Sequence, residues 1–278
     1  MIAVDNRRGS LVERAWPRSA VVFWTWPLIV ALATVALIAM PGSVGGTARG
    51  ALHGLCAQTP THTFVFGGQY LPFDARMTGI YGGVLLTLGW LMAHGRLRCW
   101  ATPPHSVTAA LVGLVVLMGL DGTNSLLLDL QLWHPYQPTN VGRLVTGLGA
   151  GIAMATLLSW LFATSVWSRG QAKPAVRSTR DLAEIALLCC PYAAVVLLQP
   201  SWLFMPTTLL LLGSAWLTLT ILMFVIVVLV TGSDGAFQSL RQLHFPLLGA
   251  SALALAVMLG LAGGRFWLER TLGLIPAT

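Results

Sequence analysis

Long stretches without a charged side chain constrain this sequence more than any other feature. Residues 185–233, for example, contain no Asp, Glu, Lys or Arg, and only 9% of the whole chain is charged. An average soluble domain has about 25% charged residues, so this chain lacks the polar groups needed to cover a water-facing surface. Apolar runs of roughly 20 residues are long enough to cross a bilayer as helices. The sequence therefore predicts an all-α, polytopic membrane protein and excludes a soluble enzyme, a nucleic-acid-binding module and a disordered tail.

The apolar runs predict about seven transmembrane helices. The first, from Ala20 to Met40, stops at Pro41-Gly42, where proline and glycine end a helix. Arginines precede this apolar run, as they do in a signal peptide. The run is longer than the apolar core of a signal peptide, however, and no small-x-small cleavage site follows it. We therefore interpret it as a retained span. The other six predicted spans cover residues 78–94, 107–130, 144–167, 182–199, 204–231 and 245–262.

The basic residues are unequally distributed between the two sides of this arrangement. With the N-terminus in the cytoplasm, the cytoplasmic segments hold eleven of the sixteen bases and the outside segments hold five. The positive-inside rule therefore predicts a cytoplasmic N-terminus and, after seven spans, an extracytoplasmic C-terminus. The predicted regions are a cytoplasmic tail (1–19), a four-helix membrane unit (20–168), a basic cytoplasmic loop (169–181) and a three-helix membrane unit (182–278).

Two predicted outside loops run directly into glycine-rich helix starts. Each loop supplies an arginine, Arg76 or Arg143, which is followed by a G-x-x-x-G spacing. This spacing lets two helix backbones approach closely, so it predicts helix packing. An arginine beside the free N–H groups of a helix start is also suited to holding an anion or a lipid phosphate. The predicted packing glycines are Gly79, Gly83, Gly147 and Gly151.

Asp121 is the most informative single residue. A span that begins at Val107 places Asp121 fourteen residues along, or roughly 21 Å into a hydrocarbon core of about 30 Å. Asn124, Ser125 and Asp129 would lie near the same helical face. An unpaired acid at this depth costs roughly 2.5 to 3.5 kcal/mol on insertion scales, so we expect a partner or a water-filled cavity.

Two interpretations of this polar group remain open. In the first, the group forms a pocket at the outer leaflet that binds a small anion, a lipid headgroup or an isoprenoid-like molecule. In the second, Asp121 pairs with Arg143 only to tie the third and fourth spans together. The candidate ligand-binding residues are Gln58, Arg76, Tyr81, Asp121, Asn140 and Arg143.

The segment 55–151 contains an ordered set of residues that form a recognisable pattern: Cys56, Gln58, Pro60, Phe64, Gly68, Pro72, Ala75, Arg76, Gly79, Ile80, Tyr81, Asp121, Gly122, Asn140, Arg143, Thr146 and Gly147. This pattern resembles that of the bacterial membrane proteins grouped as domain of unknown function twenty eighty-five. The resemblance implies a multi-pass protein of the bacterial plasma (inner) membrane. The family carries no established activity that could be transferred to this chain.

This chain departs from the family's pattern where thiols would stand. Ala57 replaces a histidine, and Asp74 and Met77 replace the two cysteines of a Cys-x-x-Cys pair. Soft-metal binding or thiol–disulfide exchange by such thiols therefore does not transfer to this chain. A substitute metal set lacks a recognised ligand spacing, so no metal site is predicted. Its members would be His53, Cys56, His62, Asp74 and Met77.

The sequence assigns no catalytic residue and no cofactor, and it leaves enzyme activity undecided. It contains neither a Walker loop nor a His-Glu-x-x-His motif. The alternative function is a non-catalytic structural subunit of a larger membrane complex, in which the apolar C-terminal helices form the docking surface. The expected partners are the lipid bilayer, a lipid or small anionic ligand, and other proteins of a membrane complex.

Overall fold

The computed structural model describes residues 44–273, and this part of the chain is mostly helical. The predicted first span, 20–40, lies outside the described residues. Two short pairs of strands accompany the helices: β1 with β2 is antiparallel, and β3 with β4 is parallel. In chain order the elements are α1 (Val44–Ala51), β1 (Val65–Phe66), β2 (Gln69–Tyr70), α2 (Ala75–Ala93), β3 (Cys99–Ala101), α3 (His105–Asp129), α4 (Asn140–Val166), β4 (Gln171–Pro174), α5 (Thr179–Leu198), α6 (Phe204–Val230) and α7 (Leu240–Thr271).

Between residues 44 and 273, five helices are long and apolar enough to cross a membrane. They are α3, α4, α5, α6 with the short 3-10 turn before it, and α7. These helices coincide with the last five predicted spans, so the prediction of a multi-pass helical membrane protein is confirmed. The predicted span 78–94 coincides with α2, which is a helix of 19 residues but does not belong to this apolar set.

The exposure pattern of α3 is the reverse of that in a soluble protein. Its buried residues are Val107, Asp121, Asn124 and Ser125, so three of the four are polar. Its large apolar side chains are instead exposed, among them Leu117 and Leu120. A helix that turns apolar side chains outward and polar side chains inward suits a lipid environment.

Helix α2 lies in the interior of the bundle. It packs most extensively against α4 and also contacts α5 and α6. The hydroxyl of Tyr192 on α5 donates to the carbonyl of Thr78, and the hydroxyl of Ser214 on α6 donates to the carbonyl of Tyr81. Helices of the predicted C-terminal unit thus bind directly to the backbone of α2.

Polar residues set the starts of several helices. The Asp74 carboxylate accepts a hydrogen bond from the Met77 amide at the start of α2, and the Thr139 hydroxyl accepts from Gly142 at the start of α4. Ser239 forms a capping box at the start of α7. These side chains satisfy N–H groups that have no partner within the helix.

The helices alternate in direction, so the bundle has two distinct ends. The long-loop end holds the starts of α2 and α4, the end of α3 and the segment 52–74. The basic end holds the segments 94–104, 167–178 and 231–239. At the basic end, Nη1 of Arg96 lies 2.6 Å from Oδ2 of Asp181, which joins the end of α2 to the start of α5.

Candidate functional site

The polar residues of interest lie at the long-loop end. Arg76 is in the first turn of α2, Asp121 is in the second half of α3, and Arg143 is in the first turn of α4. Because α3 runs antiparallel to α2 and α4, the end of α3 lies beside the two helix starts. The fold therefore brings residues that are far apart in sequence into one region.

Asp121 is buried and bonded on both carboxylate oxygens. Oδ2 accepts a hydrogen bond from Nη2 of Arg76 at 2.7 Å, and Oδ1 accepts one from the hydroxyl of Tyr136 at 2.8 Å. The Thr146 hydroxyl lies 3.4 Å from Oδ2, and Nη2 of Arg76 also lies 3.2 Å from the hydroxyl oxygen of Ser125. We call these five residues the Asp121 cluster. It joins α2, α3, α4 and the connection 130–139.

The partner of Asp121 is Arg76, whereas Arg143 forms no ion pair with Asp121. The Asp121–Arg143 pair considered from the sequence is therefore absent. The reason is that Arg76 extends toward α3 from the start of α2, while Arg143 extends toward the segment 52–74. Within the described residues, Nε of Arg76 is buried and has no hydrogen-bond partner.

Tyr136 is a member of the Asp121 cluster that sequence reasoning missed. It belongs to the aromatic run Trp133-His134-Pro135-Tyr136, which reads most simply as an interfacial belt. The connection instead folds back onto α3, and Nδ2 of Asn124 donates to the Tyr136 carbonyl at 2.8 Å. Partial desolvation of the hydroxyl and its bond to Asp121 raise the pKa of Tyr136, so Tyr136 stays protonated and acts as a donor.

Arg143 has only neutral groups as its direct partners. Nη1 donates to Oδ1 of Asn140 at 2.9 Å, and Nη2 lies 3.2 Å from Nε2 of His62. Asn140 in turn donates to the Thr61 carbonyl at 3.2 Å. Asp129 lies beyond the histidine, with Oδ1 at 3.6 Å from Nε2 of His62. We call Arg143, Asn140 and His62 the Arg143 group.

His62 is neutral in this arrangement. Burial, followed by the nearby Arg143 guanidinium, lowers its pKa below the ordinary value. Because every guanidinium nitrogen is a donor, the Nε2 that faces Arg143 must be an acceptor. The sequence analysis named His62 only as a member of a substitute metal set, and no sequence signal links it to Arg143.

Gln58 lies apart from both arginine sites. Its backbone φ is 57°, and its side chain is buried within the segment 52–74, to which it belongs. Nε2 donates to the carbonyls of Arg49 and Pro72 at 2.8 and 2.9 Å. These bonds stabilise the conformation of the segment 52–74. Because Nε2 of Gln58 already donates to two carbonyls, it is not available to a ligand.

Tyr81 also lies away from Arg76 and Arg143. Its ring is buried and stacks on Phe73, with the ring centroids 4.7 Å apart. The six residues that the sequence offered as one ligand site therefore fall into separate environments. Arg76 and Asp121 form one, Asn140 and Arg143 form a second, and Gln58 and Tyr81 pack elsewhere.

The four glycines of the two G-x-x-x-G spacings lie where α2 crosses α4. A Cβ atom on Gly147 would lie 3.2 Å from the Cα of Gly79, and one on Gly151 would lie 3.0 Å from the Cα of Gly83. The two backbones touch directly at this crossing. Close contact of this kind fixes the spacing between α2 and α4, and hence the position of Arg76 relative to Arg143.

The thiol of Cys56 is paired with a carboxylate. Sγ donates to Oδ2 of Asp74 at 3.2 Å and accepts from the Asp74 and Gln58 amides. Burial and the Asp74 charge raise the pKa of Cys56 to about 12. Among the described residues, no three His, Cys, Asp or Glu side chains are placed to hold a metal ion.

The family of predicted membrane proteins (DUF2085) matches residues 56–157 of this chain. A relative from Methanothermobacter thermautotrophicus named "Uncharacterized protein" is 34% identical over 107 residues, which are 37% of this chain and 83% of the relative. No solved structure matches the chain. The family match includes every residue of the Asp121 cluster and of the Arg143 group. Since the chain also covers most of the relative's length, it belongs to the DUF2085 family of predicted membrane proteins.

Proposed function

We propose that the chain crosses a bacterial plasma membrane seven times, with the N-terminus in the cytoplasm and the long-loop end outside. The distribution of bases supports this orientation. In the described part of the chain, seven bases lie at the basic end when the first turns of α5 and α7 are counted with it. Five lie at the long-loop end when α1 and the last two turns of α7 are counted with it. The division into a four-helix and a three-helix unit at the basic loop 169–181 belongs to the same proposal.

In this proposal α2 is the second span even though it is less apolar than its neighbours. Eleven of its 19 residues are buried against other helices. Such a helix faces protein more than lipid, so its glycines and threonines need not be compensated by further apolar residues. Its length of 19 residues suits a hydrocarbon core of about 30 Å.

We propose further that the Arg143 group binds a phosphate-bearing anion at the outer surface. The observation that carries this proposal is the combination of burial and neutral partners at Arg143, whose residue surface is only 5% exposed. A buried cation without a directly bonded anion carries an unmet desolvation cost. An anionic ligand would offset that cost.

The surroundings of Arg143 favour an anion that arrives from the aqueous side. Asn140 is only partly buried, and the side chain of His62 is 20% exposed, so both lie between Arg143 and solvent. Asp121 is already neutralised by Arg76 and does not compete for Arg143. A lipid headgroup, an isoprenoid-like lipid phosphate and free phosphate all offer the oxygen atoms that a guanidinium binds.

Native mass spectrometry of the full-length protein in lipid nanodiscs tests this proposal. Short-chain phosphatidylglycerol and inorganic phosphate are the two probes, and they separate a lipid source from a free-anion source. Arg143→Gln should weaken retention of the bound probe by about tenfold or more. Arg270→Gln, which removes an exposed arginine at the same end, is the matched control and should leave retention unchanged.

Two outcomes would contradict this function. Equal retention by wild type and Arg143→Gln, with both variants folded by circular dichroism, would show that Arg143 holds no anion. Stoichiometric protein partners without a retained anion would instead support the alternative of a structural subunit in a membrane complex.

A further inference from the structure

A second polar contact at the long-loop end joins the first and last described helices of the chain. His53 follows α1, and its ring stacks on Phe266 of α7 with the ring centroids 4.1 Å apart. Nε2 of His53 lies 2.7 Å from Oε2 of Glu269, also on α7. His53, Phe266 and Glu269 all lie outside the family match at residues 56–157.

Both ring nitrogens of His53 face hydrogen-bond acceptors. Nδ1 lies 3.2 Å from Oε1 of Gln58. The amide orientation of Gln58 is fixed because its Nε2 donates to two backbone carbonyls, which accept but cannot donate. On the other side of the ring, Oε1 of Glu269 accepts a hydrogen bond from Nε of Arg265 at 2.7 Å.

We propose that His53 carries a proton on both ring nitrogens in this arrangement, and that the resulting imidazolium is a pH-sensitive clasp between α7 and the segment 53–58. A neutral ring has one donor and one acceptor nitrogen, so it can keep only one of the two bonds. The other nitrogen would then point a lone pair at an acceptor oxygen. The clasp is therefore closed while His53 is protonated and loosens as pH rises and the proton is lost.

The charged and titratable groups around His53 come from each element packed against it. Helix α7 contributes Glu269 and Arg265, and α1 contributes Arg49, which donates to the Gln58 carbonyl at 3.1 Å. The adjoining segment contributes the Cys56 thiol, which is bonded to Asp74. Of the groups bonded to the His53 ring or to its partners, the Arg265 guanidinium only donates, and the Glu269 carboxylate and the Gln58 amide oxygen only accept.

Arg265 limits how far the clasp opens. Its guanidinium donates to the carbonyls of His53, Cys56 and Ala57. These bonds do not depend on the His53 proton, so α7 remains attached when His53 becomes neutral. We expect that only the His53 ring and the last turn of α7, which carries Glu269, become more mobile.

Nitrogen-15 NMR of ring-labelled histidine in the full-length protein measures the protonation directly. The His53 signals are assigned by their loss in His53→Gln, and His134, in the connection 130–139, is the control histidine. At about pH 6 the proposal expects both His53 nitrogens to show imidazolium shifts. A single protonated nitrogen at that pH would overturn the proposal.

Hydrogen–deuterium exchange tests the mechanical consequence. After correction for the intrinsic exchange rate, protection of residues 53–58 and of the last turn of α7 should fall by about tenfold from pH 6 to pH 8, as expected for the loss of one strong hydrogen bond. In His53→Gln the protection should be lower and independent of pH. Protection in the wild type that is independent of pH, or that matches the variant at both pH values, would contradict the clasp. Neither experiment depends on anion binding at Arg143, and Arg143→Gln should leave both results unchanged.

Discussion

Nη2 of Arg76 lies 2.7 Å from Oδ2 of Asp121, and this ion pair connects the first turn of α2 to the second half of α3. Tyr136 occupies the other carboxylate oxygen. With a cation and hydroxyl donors around it, the Asp121 carboxylate has little capacity left to act as a base. The geometry makes Asp121 a link between helices, whereas Arg143 has no bonded carboxylate.

Replacing Asp121 with Asn should destabilise the protein while leaving its fold intact. The change leaves the Arg76 guanidinium without an anion in a mostly buried place. Breaking a fully buried pair costs about 3 to 5 kcal/mol, and because the Arg76 side chain is 23% exposed we expect a smaller loss, of about 2 kcal/mol. Thermal unfolding in detergent should show a Tm lower by several degrees.

A matched variant and a double mutant make this prediction specific. Asp129→Asn removes an acid whose side chain is 50% exposed, so it should change the Tm little. The double variant Arg76→Gln/Asp121→Asn should be less destabilised than the sum of the two single changes, because neither residue then leaves a charge unpaired. Strict additivity would show that Arg76 and Asp121 do not stabilise each other.

The crossing of α2 and α4 offers a second test, within a single helix. A Cβ on Gly83 would lie 2.6 Å from the carbonyl oxygen of Leu148, whereas a Cβ on Gly89 would meet nothing within 4 Å. Gly83→Ala should therefore destabilise the protein by about 1 to 3 kcal/mol through overpacking. Gly89→Ala should be neutral or slightly stabilising, because alanine favours helix. Equal Tm values for the two variants would contradict the close backbone contact.

The long helices α2 to α7 were predictable from the sequence, whereas the short helix α1 and the partners of the polar side chains were not. Apolar runs mark helices because crossing a bilayer imposes a minimum length, and the spacing of Asp121, Asn124 and Ser125 places them on one face of α3. The choice of Arg76 rather than Arg143 as the partner of Asp121 depends on how α2 and α4 are offset at their crossing. That offset is set by three-dimensional packing and has no sequence signature.

The irregular segments were the least predictable part. Tyr136 reaches Asp121 only because the connection 130–139 folds back over α3, and that path is fixed by contacts such as those of Asn124. Gln58 resembled a ligand-binding residue because it is polar and lies in the family segment. Its left-handed backbone and its two bonds to carbonyls instead make it part of the scaffold.

The stability of the protein should depend on pH through His62. Burial and the charge of Arg143 lower the pKa of His62, so the unfolded chain binds this proton more readily than the folded one. Stability from this residue is complete above the ordinary pKa of 6.5 and is lost as pH falls from there through the lowered pKa. Thermal unfolding between about pH 7.5 and pH 5 measures this loss.

His62→Gln provides the comparison for that measurement. The variant keeps a polar side chain but cannot be protonated, so its Tm should fall less than that of the wild type as pH decreases. His134→Gln, in the connection 130–139, should follow the wild type. Contributions from His53 are common to all three proteins and cancel in the differences. Parallel Tm curves for the wild type and His62→Gln would exclude a role for the His62–Arg143 contact.

Cys56 should resist alkylation in the folded protein, although cysteine is the most nucleophilic of the common side chains. Thiolate is the reactive form, and a rise in pKa from 9.0 to about 12 reduces its fraction at pH 8 by about a thousandfold. The bond to Asp74 adds to this protection because the thiol proton is held by a carboxylate. Intact-protein mass spectrometry after iodoacetamide treatment, with peptide mapping, should therefore find Cys56 unmodified in detergent and modified after denaturation.

Asp74→Asn removes the charge while keeping a side chain of the same shape, so Cys56 should react faster in that variant. Rapid modification of Cys56 in the folded wild type would contradict the buried thiol–carboxylate pair.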